Sequence, residues 1–306
     1  MMKLQTAETL EGRLPTFLII GMAKSGTSSV YAYLRGHPQV FLSPVRTPNF
    51  FGLGEQHEIR CGGPVKHFGA KTSTLAQYQR LFAAAQNEIA LGEGSSFFNF
   101  TPRAAQRIRH YIPDARLIAI LRQPAERAYS QYLYARWLGW EHSSSFADAL
   151  GDEPKRLAEQ WFPFLRYRES SLYADRLLAF YDAFPRAQIR VYLFDDLRRD
   201  TAGLMRDIFT FLGVDPGFVP NVSVKHNPSR VKRFPWLRNR AALRSRRLVP
   251  QWLRSGLARL LSEFPDQAPP PLDPVLRGRL TAEFRSDILR TQTMIEKDLS
   301  CWLSRD

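Results

Sequence analysis

The stretch "FLIIGMAKSGTSSVYAYL", from Phe17 to Leu34, decides how the fold of this chain is interpreted. The apolar run from Thr16 to Ile20 stops at Gly21, which is typical of a buried strand. A loop follows, and Thr27 to Gly36 reads as a helix closed by "GHP". We therefore predict a strand, a loop and a helix, with backbone N–H groups and the positive end of the helix dipole available to an anion.

This loop departs from the Walker A pattern G-x-x-x-x-G-K-[ST]. Gly21 and Gly26 have the required spacing, but Thr27 stands at the lysine position, and Lys24 lies inside the loop instead. The missing lysine disfavours a metal-bound triphosphate and favours a single phosphate, with Lys24 reaching an atom just beyond it. An ordinary polar strand–helix turn is the alternative. The residues that would line the phosphate site are Ser25, Gly26, Thr27, Ser28 and Ser29.

Downstream, apolar runs alternate with helical segments. We predict strands in "EIALGE", at Ala115 to Arg122 and at Gln188 to Phe194, and a long loop from Phe41 to Lys71. Predicted helices cover Leu75–Gln86, a segment from Thr101, Pro124–Trp140, Ser170–Phe184, a segment through Phe211 and Val275–Leu299. This alternation predicts the α/β class: one P-loop-like domain over residues 1–306, with a central parallel sheet flanked by helices and a helical and loop C-terminal region. Residues 1–14 are expected to form an N-terminal tail.

Composition limits the partners of the chain. The 306 residues carry 43 Lys and Arg against 29 Asp and Glu, a net charge of +14, which predicts attraction to phosphates, polyanions or anionic lipid. Two distant cysteines suggest a reduced compartment and no metal-ligand spacing. The sequence has neither a signal core nor an apolar run of membrane-spanning length. We expect a cytoplasmic protein, with peripheral contact to an anionic membrane as an open alternative.

Two segments together suggest a family. "KSGTSS" resembles the loop that binds the 5′-phosphosulfate in sulfotransferases that use 3′-phosphoadenosine 5′-phosphosulfate (PAPS). "LIAILRQPAERAYSQY" resembles the 3′-phosphate motif of that family, R-x-P-x-x-R-x-x-S, in which Arg122 and Ser130 match the phosphate contacts. "HPQVFLSPVRTPNFF", "GEGSSFFNF" and "IRVYLFDDLRRD" fit further family segments. The resemblance extends, with gaps, from about Phe17 to Trp302 and is greatest to carbohydrate-type and bacterial members.

The resemblance implies an enzyme that moves the sulfuryl group of PAPS to a hydroxyl or amine of a carbohydrate, lipid or natural-product acceptor. The other product would be 3′-phosphoadenosine 5′-phosphate (PAP), and no metal is expected. Lys24 would donate a proton or hydrogen bond to the bridging oxygen, which gains negative charge. Lys225 falls where the family has a basic loop over the nucleotide, and Arg230 or Arg233 are further candidates there.

The general base is where this sequence departs from the family. The family motif "K-E-P" carries a catalytic glutamate, but the aligned residues here are Arg46 and Thr47, and a threonine hydroxyl is no base at neutral pH. We predict Glu93 as the base, because it ends a strand at the same sheet edge. A structural carboxylate at Glu93, a base at His57 or His67, or a reaction with little base assistance are the alternatives.

The basic segment of residues 217–262 contains no acidic residue up to Ser262 and interleaves arginines with Leu and Trp. It suits docking on anionic lipid, guidance of an anionic or lipid-linked acceptor, or a solvated basic helix, whereas a nucleic-acid surface is disfavoured.

Two rival functions stay open: a P-loop kinase, and a sulfotransferase-like binding protein with impaired catalysis. Four aromatic residues are candidates for acceptor contacts or for the core: Trp137, Trp140, Trp161 and Phe162.

Overall fold

A five-stranded parallel sheet forms the centre of the fold. The computed structural model describes residues 12–53, 58–65, 67–69, 72, 74–95, 103–222 and 269–304. The strand order is β2-β5-β1-β6-β7, and β3 and β4 form a separate antiparallel pair. The strands are β1 (Phe17–Gly21), β2 (Val40–Leu42), β3 (Glu58–Arg60), β4 (His67–Gly69), β5 (Ala90–Glu93), β6 (Arg116–Leu121) and β7 (Ile189–Leu193).

Helices flank this sheet and connect its parallel strands. They are α1 (Thr27–Arg35), α2 (Phe50–Leu53), α3 (Leu75–Arg80), α4 (Ala104–Tyr111), α5 (Pro124–Leu138), α6 (Phe146–Gly151), α7 (Glu153–Ala158), α8 (Ala174–Ala183), α9 (Phe194–Arg199), α10 (Thr201–Leu212) and α11 (Pro274–Ile295). Parallel strands need such crossovers, since a hairpin cannot join them. The predicted α/β class, with a central parallel sheet between helices, is confirmed.

The central strands are buried on both faces, which explains their nearly continuous apolar sequences. Along β1, Leu18 and Ile20 pack into one core, whereas Phe17 and Ile19 pack into the other. The first core also contains side chains of α4, α5, α8 and α11, and the second contains those of α1 and α10. Burial of the strands on both faces leaves their ends and the connecting loops to carry function.

Two secondary-structure predictions were wrong. The segment from Phe41 to Lys71 is not a continuous loop, because it completes β2 and contains α2, β3 and β4. β2 has only three residues, too few to show a periodicity, and it forms by pairing in parallel with β5. The helix predicted to reach Gln86 ends at Arg80, after which the chain continues in turns.

Several predictions fall outside the described residues. Residues 223–268 hold most of the basic segment, including Lys225, Arg230 and Arg233. His57 is also outside the described part, and His67 is described only as part of the backbone of β4. Within the part of the chain that is described, no helix combines the length and the apolar character needed to cross a membrane.

The C-terminal helix α11 fixes the end of β6. The carboxylate of Asp287 accepts hydrogen bonds from the backbone N–H groups of Tyr173, at 2.7 Å, and Ala174, at 3.1 Å. The Tyr173 hydroxyl in turn donates to the carbonyl oxygen of Arg122 at 2.6 Å. The side chain of Gln123 donates to the Thr281 hydroxyl at 2.9 Å. Residues far apart in sequence therefore hold the chain where it leaves the sheet at Arg122.

Candidate active site

The carboxyl ends of β1 and β6 lie side by side at one edge of the sheet. Gly21 is in register with Ala119, and the Met22 N–H donates to the Ile120 carbonyl oxygen at 2.8 Å. The residues that follow these strands, Lys24 and Arg122, therefore emerge at the same edge. Open α/β sheets bind their ligands at this edge, outside the carboxyl ends of the strands.

The loop between β1 and α1 has an unusual backbone. Gly26 has a φ of 92°, and a β-carbon added to it would lie 2.8 Å from a methyl carbon of Leu197, so glycine is required here. Lys24 also adopts a left-handed conformation, with a φ of 70°, although it is not glycine. The Ser25 side chain is completely buried, and its hydroxyl has no hydrogen-bond partner among the described residues. Such a hydroxyl at the start of a helix suits an anion.

Lys24 lies among other cations. Burial, followed by the charges of Arg122, Arg46 and Arg127, lowers the pKa of the Lys24 amine from 10.5 to about 8. Its Nζ lies 4.1 Å from the centre of the Tyr134 ring, which gives the ammonium a cation–π contact. Because these positive charges repel one another, a bound anion would be strongly favoured at this position.

The remaining hydroxyl residues of the loop lie in the first turn of α1. Thr27 is buried, and Ser28 and Ser29 are half-buried. The Ser28 hydroxyl accepts a hydrogen bond of 2.7 Å from a terminal guanidinium nitrogen of Arg46. Arg46 was noted in the sequence only because it replaces a family lysine, and the structure brings it to the loop.

Arg122 and Ser130 lie at the junction of β6 and α5. The guanidinium of Arg122 is 4.8 Å from the centre of the Phe194 ring and pairs with Glu126 at 3.2 Å. The side chain of Gln123 caps α5 by accepting from the Glu126 N–H at 2.8 Å. Ser130 is nearly buried, two helical turns further along α5. The role of Arg122 and Ser130 as contacts to one phosphate stays a prediction.

Arg127 is a component of the site that sequence reasoning missed. It is completely buried, and burial lowers the pKa of its guanidinium to about 10. It donates to the Ala23 carbonyl oxygen at 3.3 Å, the Tyr167 carbonyl oxygen at 3.3 Å and the Ser171 hydroxyl at 2.6 Å. Arg127 thereby ties α5 to the residue just before Lys24. It is the second arginine of R-x-P-x-x-R-x-x-S, which was the available signal.

Glu93 lies deeper in the fold than the loop. It is in register with Leu18, three residues before the end of β1, or about 10 Å along the strand. The side chain is completely buried, and its carboxyl oxygens accept from the Ser95 hydroxyl at 2.6 Å and the Tyr78 hydroxyl at 3.3 Å. Burial raises the pKa of Glu93 from 4.5 to about 8. Its role as a general base stays a prediction.

The four candidate aromatics separate into two groups. Phe162 is buried, and Trp140 packs against it with ring centres 5.8 Å apart, whereas Trp161 lies 5.0 Å from the Arg156 guanidinium. Trp137 instead stacks on Tyr134, the ring that contacts Lys24, at 5.8 Å. Trp137 also borders a cavity of about 570 Å³ between α5 and the start of α11. Only Trp137 in this group is therefore connected to the loop through a described contact.

Comparison with known proteins identifies the family. A model described as "Sulfotransferase family" matches residues 15–218. The chain belongs to the sulfotransferase family. The matched range begins just before β1 and includes the loop with Lys24 as well as Arg122 and Ser130.

Curated relatives and a solved structure agree with this assignment. This chain is 26% identical to human bifunctional heparan sulfate N-deacetylase/N-sulfotransferase 3, over 96% of its own length and 32% of that protein. It is 28% identical to human carbohydrate sulfotransferase 15, over 66% of this chain and 44% of that protein. The chain thus spans less than half the length of these relatives. The crystal structure of a sulfotransferase from Alicyclobacillus acidocaldarius matches this chain with a TM-score of 0.74 and 30% sequence identity. The match covers 95% of this chain and all of the other chain.

Glu93 makes folding stability depend on pH. Its folded pKa is raised by burial, so its contribution is fully present below the unfolded pKa near 4.5 and is lost as pH rises through about 8. Relative to wild type, Glu93→Gln should therefore gain a few kcal/mol in free energy of unfolding between pH 5 and pH 8. Urea denaturation at several pH values measures this difference. Parallel pH dependences for the two proteins would contradict the burial argument.

Proposed function

We propose that this sulfotransferase uses PAPS as its donor and releases PAP. The observation that carries the proposal is the buried Ser25 hydroxyl at the start of α1, which has no partner among the described residues, with Lys24 and its neighbouring cations around the same loop. Backbone N–H groups at a helix start, a hydroxyl and cations together suit a 5′-phosphate that carries a sulfuryl group. Arg122 and Ser130 would hold the 3′-phosphate, since a guanidinium is well matched to phosphate oxygens.

PAPS would supply a sulfuryl group to the acceptor. The acceptor oxygen or nitrogen would bond to sulfur as the bond from sulfur to the 5′-phosphate oxygen breaks, and the electron pair of the broken bond would stay on that phosphate oxygen. Lys24 would hold a proton at this oxygen and stabilise the charge that develops there. The acceptor loses its proton to a base, for which Glu93 is the predicted residue. Positioning and charge stabilisation by the loop would supply most of the rate enhancement.

For the acceptor we propose a carbohydrate hydroxyl or amine. The support comes from the names of the curated relatives, which include a heparan sulfate N-sulfotransferase and a carbohydrate sulfotransferase. Tyr134 and Trp137 present a stacked pair of rings beside Lys24, and such rings suit the face of a sugar. Lipid and natural-product acceptors remain alternatives within the same reaction.

Nucleotide binding separates this proposal from a P-loop kinase. PAP should raise the melting temperature of the protein, because both of its phosphates would meet cationic partners, whereas ATP with Mg²⁺ should raise it much less. Differential scanning fluorimetry with each nucleotide at matched concentrations gives the comparison. Stabilisation by ATP with Mg²⁺ alone would overturn the proposal in favour of a kinase. Stabilisation by PAP without any sulfate transfer would favour a binding protein.

Loss of Lys24 tests the chemistry directly. Lys24→Ala should lower kcat with PAPS by about 10²–10³ while much of the PAP affinity remains. Lys155→Ala is a matched control, since that side chain is 71% exposed on α7.

In wild type, kcat/KM should fall above pH 8, because the pKa of the Lys24 amine is about 8 and Lys24 loses its proton there.

The same pH profile tests the predicted base. A base must be ionised, and the pKa of Glu93 is about 8, so kcat/KM should rise towards pH 8 before it falls. Glu93→Gln should remove the rising limb along with most of the activity. An active Glu93→Gln variant that retains this limb would exclude Glu93 as the base and leave it a structural carboxyl.

A further inference from the structure

Arg46 occupies a fixed position between β5 and α1. Its carbonyl oxygen accepts from the Gly94 N–H at 3.1 Å, which attaches the segment to the end of β5. Nearby, the Tyr31 hydroxyl donates to the Ser43 carbonyl oxygen at 2.6 Å, which attaches the same segment to α1. The side chain therefore starts from a well-defined backbone rather than from a free loop.

The guanidinium of Arg46 has donors to spare. One terminal nitrogen donates to Ser28, as described above, and the group lies 5.5 Å from the centre of the Tyr31 ring. Its Nε is buried and has no hydrogen-bond partner within the described part of the chain. Burial lowers the pKa of Arg46, and none of the described carboxylates is among the groups that shift it. A half-buried cation whose Nε donor is buried and unused is unfavourable unless an anion reaches it.

The position of Arg46 points to a specific part of the donor. Ser28 lies in the first turn of α1, where the 5′-phosphate is proposed to bind, and Arg46 contacts it directly. The charge of Arg46 also acts on Lys24, the residue assigned to the bridging oxygen. Arg46 thus contacts Ser28 directly and acts on Lys24 through its charge, so its unused donors suit the oxygens on the sulfur side of the bond to be broken.

We propose that Arg46 is a further catalytic residue, which binds the sulfuryl oxygens of the donor. This inference rests on the proposed use of PAPS. A guanidinium presents several donors in one plane and stays charged, so it can hold two sulfuryl oxygens while the acceptor attacks the sulfur. Because PAP lacks the sulfuryl group, Arg46 would also make the enzyme bind the donor more tightly than the spent nucleotide.

The test compares affinities rather than rates. Isothermal titration without acceptor measures the dissociation constants of PAPS and PAP for wild type, Arg46→Ala and Arg46→Lys. Arg46→Ala should weaken PAPS binding by about tenfold or more and change PAP binding much less. Arg46→Lys should recover part of the loss, since it keeps the charge without the planar donors. It also serves as the second variant if Arg46→Ala does not fold.

Arg35 offers a matched control. Its guanidinium lies over the same Tyr31 ring, at 5.4 Å, but the side chain is exposed at the end of α1. Arg35→Ala should leave both dissociation constants unchanged. If Arg46→Ala lost PAPS and PAP affinity equally, Arg46 would be assigned to the 5′-phosphate. If it lost neither affinity, Arg46 would only support the position of Ser28. Either result would overturn the inference. Failure of wild type to bind either nucleotide would instead refute the proposed function itself.

Discussion

Repulsion among cations at the carboxyl edge of the sheet is the constraint on which the site depends. Lys24 is held against the charges of Arg122, Arg46 and Arg127 in a half-buried position, and burial together with these charges lowers its pKa to about 8. Like charges in a region of low dielectric are unfavourable, and the fold opposes the repulsion with fixed backbone and ring contacts. The arrangement becomes favourable when an anion with several oxygens enters. The buried donors on Ser25 and Arg46, which find no partner in the described ranges of the chain, are consistent with the same requirement.

Helix α5 is the element that holds these charges together. Arg127 reaches from α5 to the backbone of the loop between β1 and α1 and to the segment before α8, so one guanidinium connects three parts of the chain. Asp287 on α11 orders Tyr173, and Tyr173 holds the carbonyl group of Arg122. Damage to α11, far from the loop in sequence, would thus be transmitted to the candidate site. Trp137 and Tyr134, on the same helix, provide the ring surface beside Lys24.

The sequence predicted the parts of the site that follow long apolar strands. β1 and β6 are visible as apolar runs, so the amino-acid sequence alone is enough to assign Lys24 and Arg122 to one sheet edge. The depth of Glu93 could not be predicted, because strand register depends on pairing between residues 75 positions apart. The contact of Arg46 with Ser28 was not predicted, because it depends on the position of β2, a strand of only three residues. Arg127 was missed because an arginine on a helix is usually solvated, and here it is completely buried.

The central claim is that this edge of the sheet binds a nucleotide through two separate phosphates. The most direct measurement compares the affinities of PAP and adenosine 5′-monophosphate for wild type and Arg122→Ala, with Arg116→Ala as a control on the exposed start of β6. Adenosine 5′-monophosphate lacks the 3′-phosphate, so it should bind to wild type and to the control about tenfold or more weakly than PAP does. In Arg122→Ala, which lacks the proposed partner of the 3′-phosphate, the affinities of the two nucleotides should differ much less. Equal affinities of the two nucleotides for wild type, or the same ratio in Arg122→Ala, would contradict the account.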